Sequence, residues 1–277
     1  MFIFQQKNVV YMKMKNLFRI IIIIKGFLFL LFTLNANCHE FWLEPENFNT
    51  SSDNSIIHIK IGTEFTGTEF GFKKKFKDKL YKENNKEGRI NLEQKDGSFP
   101  AFTFNISEEF NIFTYVNNFT LLKYRSLKGF ENFLEEQNLT SIIKNYDQNK
   151  IPTEHYKRFA KTILNFDKSS FFVEKPTLDF EIILLDKVDK NLLKFGVFHN
   201  GKLLKNWPVE IFSKNNNGKI LTEQLKTDNK GNFDLTIFKE RVYLINSVLV
   251  FKSKDKPELN LSSDWVSYWA SLTLQSN

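Results

Sequence analysis

The 277-residue chain predicts a mainly β protein, with an N-terminal β-sandwich-like domain carrying two helices and then a seven-stranded immunoglobulin-like β-sandwich. Three observations lead there. Phenylalanine is over-used, at 31 residues, while Ala and Gly are scarce, so the core is aromatic and β-branched, which suits a pleated surface. Apolar residues alternate with period two through several segments. From about Phe171 onward, short apolar runs recur at close spacing between turn signals, the pattern of a sandwich.

Residues 1–38 read as a secretory signal. Lys13, Lys15 and Arg19 precede the apolar stretches Ile20–Ile24 and Phe27–Phe32, with Lys25 between them, and small residues follow. A membrane span needs about 20 unbroken apolar residues, so an uncleaved anchor is the alternative and no span is expected after cleavage. Ala36 and Cys38 stand at positions −3 and −1 of a cut before His39; a cut after Ala36 is the competing one. Cys38 is the only cysteine, so an internal disulfide is excluded. A lipid anchor on Cys38 fits less well, because Asn35 and Asn37 occupy the lipobox positions. The expected location is periplasmic or secreted.

The formal charge of +7 does not indicate nucleic acid. Lys7, Lys13, Lys15, Arg19 and Lys25 sit in the leader, which has no acid, so the remainder is near neutral. The run Lys73, Lys74, Lys75, Lys77 and Lys79 reads as a solvated loop or a lysine-protected edge.

Elements follow in order. His39–Leu43 is a short strand closed by Pro45, which fits only an edge or an exit. Ser55–Ile61 alternates Ile57, Ile59 and Ile61 against Ile56, His58 and Lys60, so His58 faces outward. Arg89–Gln94 and Phe99–Ile106 form a hairpin through Asp96-Gly97, and Phe110–Val116 and Phe119–Tyr124 continue the meander. The period then changes. Leu127, Phe130, Phe133 and Leu134 recur at three and four, as do Tyr156, Phe159, Ala160, Ile163 and Leu164 after Pro152-Thr153, which predicts two amphipathic helices. Seven strands complete the chain: Leu178–Leu185, Leu192–His199, Val209–Phe212, Ile220–Lys226, Phe233–Phe238, Val242–Phe251 and Trp265–Leu274. In the last, Trp265, Ser267 and Trp269 share one face, and Val266, Tyr268 and Ala270 the other. The domains are read as 39–170 and 171–277.

Chemistry is sparse. No Gly-rich phosphate loop, Gly-x-Ser-x-Gly elbow or His-Glu-x-x-His occurs, and no pair of carboxylates stands out as acid and base, so nothing argues for an enzyme. The four histidines, His39, His58, His155 and His199, are the candidate metal ligands, without the short spacing of a structural zinc site. A chain cut before His39 would present an imidazole beside an α-amine, a chelate suited to Cu(II) or Ni(II), with His58, His155 or His199 competing as a further donor.

Three stretches carry a resemblance. His39-Glu40-Phe41-Trp42-Leu43-Glu44-Pro45, Phe130-Glu131-Asn132-Phe133-Leu134-Glu135-Glu136 followed by Tyr156-Lys157-Arg158-Phe159-Ala160-Lys161, and Asp264-Trp265-Val266-Ser267-Tyr268-Trp269-Ala270-Ser271-Leu272-Thr273 together resemble an uncharacterised, NikM-like family of bacterial periplasmic proteins related to nickel and cobalt uptake. The resemblance implies an exported transition-metal-binding or metal-uptake accessory protein, with His39 as a ligand and a membrane metal transporter or cell-envelope protein as partner. Asn and Cys stand here where the family's cleavage region commonly has Ala. The alternative is a cell-envelope interaction or structural module that uses no metal.

Overall fold

The computed structural model describes residues 40–50, 54–143, 146–147, 149–168 and 170–276, and its described strands fall into three sheets. The central sheet has nine: β4 (Lys77–Asn84), β5 (Gly88–Asn91), β7 (Asn111–Asn117), β8 (Thr120–Lys123), β9 (Thr153–Leu164), β13 (Pro208–Asn215), β14 (Ile220–Lys226), β16 (Arg241–Lys252) and β17 (Trp265–Ser276). Its order is β14-β13-β16-β17-β9-β7-β4-β5, with β8 also on β9. One outer sheet holds β1 (Glu40–Pro45), β2 (Ser55–Thr63), β3 (Thr66–Phe70) and β6 (Phe102–Phe104). The other holds β10 (Phe180–Asp189), β11 (Leu192–His199), β12 (Lys202–Leu203) and β15 (Asn232–Thr236).

Alternation sorts the central strands between two cores. Ile112, Val116, Phe159, Ile163, Val266, Ala270 and Leu272 meet Ile182, Phe195 and Val197 of the β10–β11 sheet. Their neighbours Phe113, Tyr115, Ala160 and Leu164 meet Phe41, Leu43, Ile57, Ile59 and Phe102 of the β1–β2 sheet. The result is a three-layer β-sandwich with a mainly β composition, as the sequence predicts. Each fully buried Phe contributes roughly 1.5–3 kcal/mol against exposure.

The same inner face that receives β1 also receives α1 (Leu127–Glu136). Ser126 caps it by accepting from the Gly129 amide at 3.1 Å. Its apolar stripe, Phe130, Phe133 and Leu134, is buried. Phe130 lies 5.2 Å from Trp265, and Phe133 stacks at 5.4 Å on Trp269. Trp265 and Trp269 therefore face away from Val266, Tyr268 and Ala270, as alternation predicts.

Three expectations require correction. The second helix is the strand β9, paired in parallel with β17 over Trp265–Thr273 and antiparallel with β7 and β8. A strand buried on both faces places apolar residues at neighbouring positions, and these imitate a three-and-four spacing. Second, Arg89–Gln94 and Phe99–Ile106 do not pair: β5 joins β4 in the central sheet, and β6 joins β2 in the outer one. The Lys95–Ser98 turn is present, with Gly97 at φ +83°, but it connects two layers. Third, the boundary between 39–170 and 171–277 is crossed by the central sheet, and all described residues fall in one compact unit. The seven predicted C-terminal strands are all present, divided between the central sheet and the β10–β11 sheet. Among the described residues, no helix is long and apolar enough to cross a membrane.

Candidate functional site

Strand β1 carries the site because it is an edge strand laid over the middle of the central sheet. It pairs with β2 from Glu40↔Gly62 to Pro45↔Ile57. On its other side, Thr273 Oγ1 of β17 donates to the Leu43 carbonyl at 2.7 Å. Trp42 is fully buried against Phe65, Phe212 and Leu244, and its Nε1–H donates to Glu44 Oε2 at 2.8 Å. These contacts fix Glu40, the first described residue, on the central sheet.

Glu40 is only 7% exposed, and its Oε2 has no hydrogen-bond partner among the described residues. Burial, reinforced by the charges of Glu210, Glu64 and Glu136, pushes its carboxyl up to about 8. Glu210 is also held above the ordinary carboxylate range, by burial first and then by Glu64 and Glu136. A cross-strand row accompanies it: Glu210 of β13 pairs with Asn246 of β16, and Asn246 with Ser271 of β17. Asn246 Nδ2 and Ser271 Oγ are also buried without hydrogen-bond partners among the described residues. Glu136, at the end of α1, shares a small recess with Glu210, Asn246 and Gln224, and Gln224 Nε2 donates to Glu210 Oε1 at 3.1 Å. Buried polar atoms in folded proteins are nearly always satisfied, so unsatisfied ones on one layer call for a ligand, ion or water.

The predicted ligands are dispersed. His39 lies outside the described residues. His58 faces the polar side of β2 opposite Glu44, with Nδ1 2.7 Å from Glu69 and Nε2 3.2 Å from Glu46. It stands four residues along the strand from the level of Glu40, about 13 Å away. His155 is on β9 rather than in a helix, its Nδ1 2.8 Å from Ser263 Oγ and its ring edge-on to Phe119. His199 ends β11, with Nε2 3.1 Å from the Asn200 amide and its ring against Phe251 and Tyr268. Burial holds both His155 and His199 below the ordinary imidazole range. Among the described residues, no three His, Cys, Asp or Glu side chains form a metal-holding group.

Sequence reasoning missed Glu40 as a site residue. The available signal was an acid at the head of an otherwise apolar strand, Glu40-Phe41-Trp42-Leu43. It also missed a cleft of about 210 Å³ that opens between the β1–β2 sheet and the central sheet, because Tyr156 and Arg158 were assigned to a helix.

No curated protein matches the chain. Among solved structures, the crystal structure of a tetra-tandem repeat in the extending region of a large adhesion protein is similar at 7% identity and a TM-score of 0.21. That match covers 85% of this chain, which spans about half, 49%, of the other. Residues 36–250 match the model of a domain of unknown function, DUF4198, and since this is well over half of the sequence, the chain belongs to the DUF4198 family.

Proposed function

We propose that the protein is an exported, periplasmic metal-binding accessory protein that handles a transition metal of the nickel or cobalt class, with its site at the head of β1. One observation carries the reading: Glu40 is a buried carboxylate with an unpartnered oxygen, adjacent in the chain to His39. Burying an ionised carboxylate without a partner is costly, and a bound cation offsets that cost.

The donor set suits the metal class. His39 contributes an imidazole, and an α-amine as well if the signal is cut before it; Glu40 contributes a carboxylate. Nitrogen and oxygen donors without thiolate fit Ni(II), Co(II) or Cu(II) better than a soft-metal site. Glu210, Glu64 and Glu136 add negative charge around Glu40. The metal is cargo in this reading, and a membrane metal transporter is the partner that receives it. Loading is pH-dependent, because the amine, the imidazole and the Glu40 carboxyl must all lose protons to coordinate.

Calorimetric titration of Ni(II), Co(II) and Cu(II) into the exported protein, His39→Ala and Glu40→Gln tests the reading, with the mass of the exported chain fixing its first residue. Tight binding by the parent, weakened about tenfold or more in each variant, is the expected result. Equal binding by all three proteins would overturn the proposal and favour the metal-free envelope module.

A further inference from the structure

The cleft between the β1–β2 sheet and the central sheet is separate from the Glu40 side of β1, since Phe41 lines it and Phe41 and Glu40 point to opposite sides of the strand. Phe41, Ile61, Tyr115 and Tyr156 supply its walls, and Lys73 and Arg158 are its charged lining residues. Among the described residues, no carboxylate lines it. Phe70 and Phe76, each 43% exposed, also line it and extend its apolar surface to solvent.

Arg158 is fixed by its surroundings. Its guanidinium lies 4.5 Å from the Tyr156 ring centroid and 5.3 Å from that of Phe41, and its backbone amide donates to Asn117 Oδ1 at 2.6 Å. A guanidinium stacked on aromatic rings keeps its planar fork of N–H donors oriented, the arrangement that recognises a carboxylate. Lys73, on the exposed rim, adds a second positive charge. Tyr115, buried, has its phenol pushed up to about 12 and so remains a neutral wall at any ordinary pH.

Size narrows the ligand further. An apolar cavity of about 150 Å³ accepts benzene. The 210 Å³ present accommodates one ring with a short arm and falls below the roughly 300 Å³ where drug-sized pockets begin.

We infer that this cleft is a binding site for a small organic carboxylate with a single aromatic or branched aliphatic body, whose acid group meets Arg158 and Lys73 while its body lies among Phe41, Ile61, Tyr115 and Tyr156. The site is independent of the metal reading, so its test is run on metal-free protein in chelator. Phenylacetate, phenylacetamide and phenethylamine are titrated by calorimetry into the parent, Lys73→Glu and Ile61→Trp. Phenylacetate binds the parent at least about tenfold more tightly than the neutral amide, the worth of a lost charge-assisted contact, and phenethylamine does not bind. Lys73→Glu, a change at an exposed residue, weakens phenylacetate at least fivefold, about the effect of reversing one partly screened charge. Ile61→Trp fills the cleft and removes binding. Phenylacetate binding no tighter than phenethylamine in the parent, or unchanged affinity in both variants, would overturn the inference.

Discussion

Lys161→Met tests whether the central sheet and the β10–β11 sheet are joined by a buried ionic cluster. Lys161, on β9, is 1% exposed. Its ammonium is bonded to Glu174 and, at 2.5 Å, to Glu181 of β10. Glu181 also accepts from the backbone amides of Thr177 and Leu178 at 2.6 and 2.7 Å, so it has a full set of partners and Glu174 depends chiefly on the lysine. The methionine keeps the length and loses the charge, leaving two acids at 5% exposure or less against each other. Removing one partner from a buried ion pair costs about 3–5 kcal/mol. For a protein of this size, each kcal/mol lowers Tm by roughly 2–4 °C, so a fall of about 6–20 °C is expected.

Urea unfolding of parent, Lys161→Met, Glu174→Gln and the double variant measures the coupling. The double variant recovers at least about 1.5 kcal/mol of the single lysine loss, because a neutral amide no longer repels Glu181. Protonation relieves the lysine-free cluster, so the deficit is largest near neutral pH and shrinks as pH falls towards about 4. A Lys161→Met protein within about 1 kcal/mol of the parent at pH 7, with no pH dependence in the difference, would refute the idea of a charged weld.

Other outcomes follow from the same geometry. Phe130→Ala empties the fully buried space between α1 and Trp265 and costs about 3–5 kcal/mol, read by denaturant midpoint. Gly67→Ala places a Cβ 2.5 Å from the Ile61 carbonyl oxygen and 2.9 Å from the Trp42 ring, and its overpacking cost of about 1–3 kcal/mol is read by Tm. Burial holds His155 and His199 below the ordinary imidazole range, so the unfolded chain takes up protons first and stability declines as pH drops through about 6.5; replacing both with Gln flattens that slope in thermal melts. Nickel at a hundred times its Kd raises stability by about 2.7 kcal/mol over protein in chelator, and Glu40→Gln removes most of that gain in a thermal-shift comparison.

What the sequence made legible depended on how many faces each strand buries. β2 buries Ile57 and Ile59 and leaves His58 and Lys60 partly exposed, so period two was plain. α1 shows a single buried stripe, and its helical period was equally plain. β9 buries both faces, and its lysines conceal the fact further: Lys157 meets Asp78 at 2.7 Å and Lys161 meets two glutamates, so polar residues occupy interior positions. Partners 13 to 79 residues away supply those charges, and local periodicity carries no trace of them. The Glu210–Asn246–Ser271 row was hidden for the same reason, since its members are assembled by strand register across β13, β16 and β17.

Both candidate sites hang on one edge strand, and that makes register the quantity to control. Along β1, Glu40 and Trp42 face one way while Phe41 and Leu43 face the other, Glu40 towards Glu210 and Phe41 towards Arg158 and the cleft. A slip of one residue would exchange the two sets, turning the carboxylate towards the aromatic cleft and the ring towards Glu210. Trp42 opposes that slip. It fills the space beside Phe65, Phe212 and Leu244, and its indole N–H is held by Glu44. Trp42→Ala therefore costs about 3–5 kcal/mol as a core truncation and also weakens nickel and phenylacetate binding together. A merely structural tryptophan lowers Tm and leaves both affinities at the parent values, so measuring the two ligands on folded Trp42→Ala protein separates the roles.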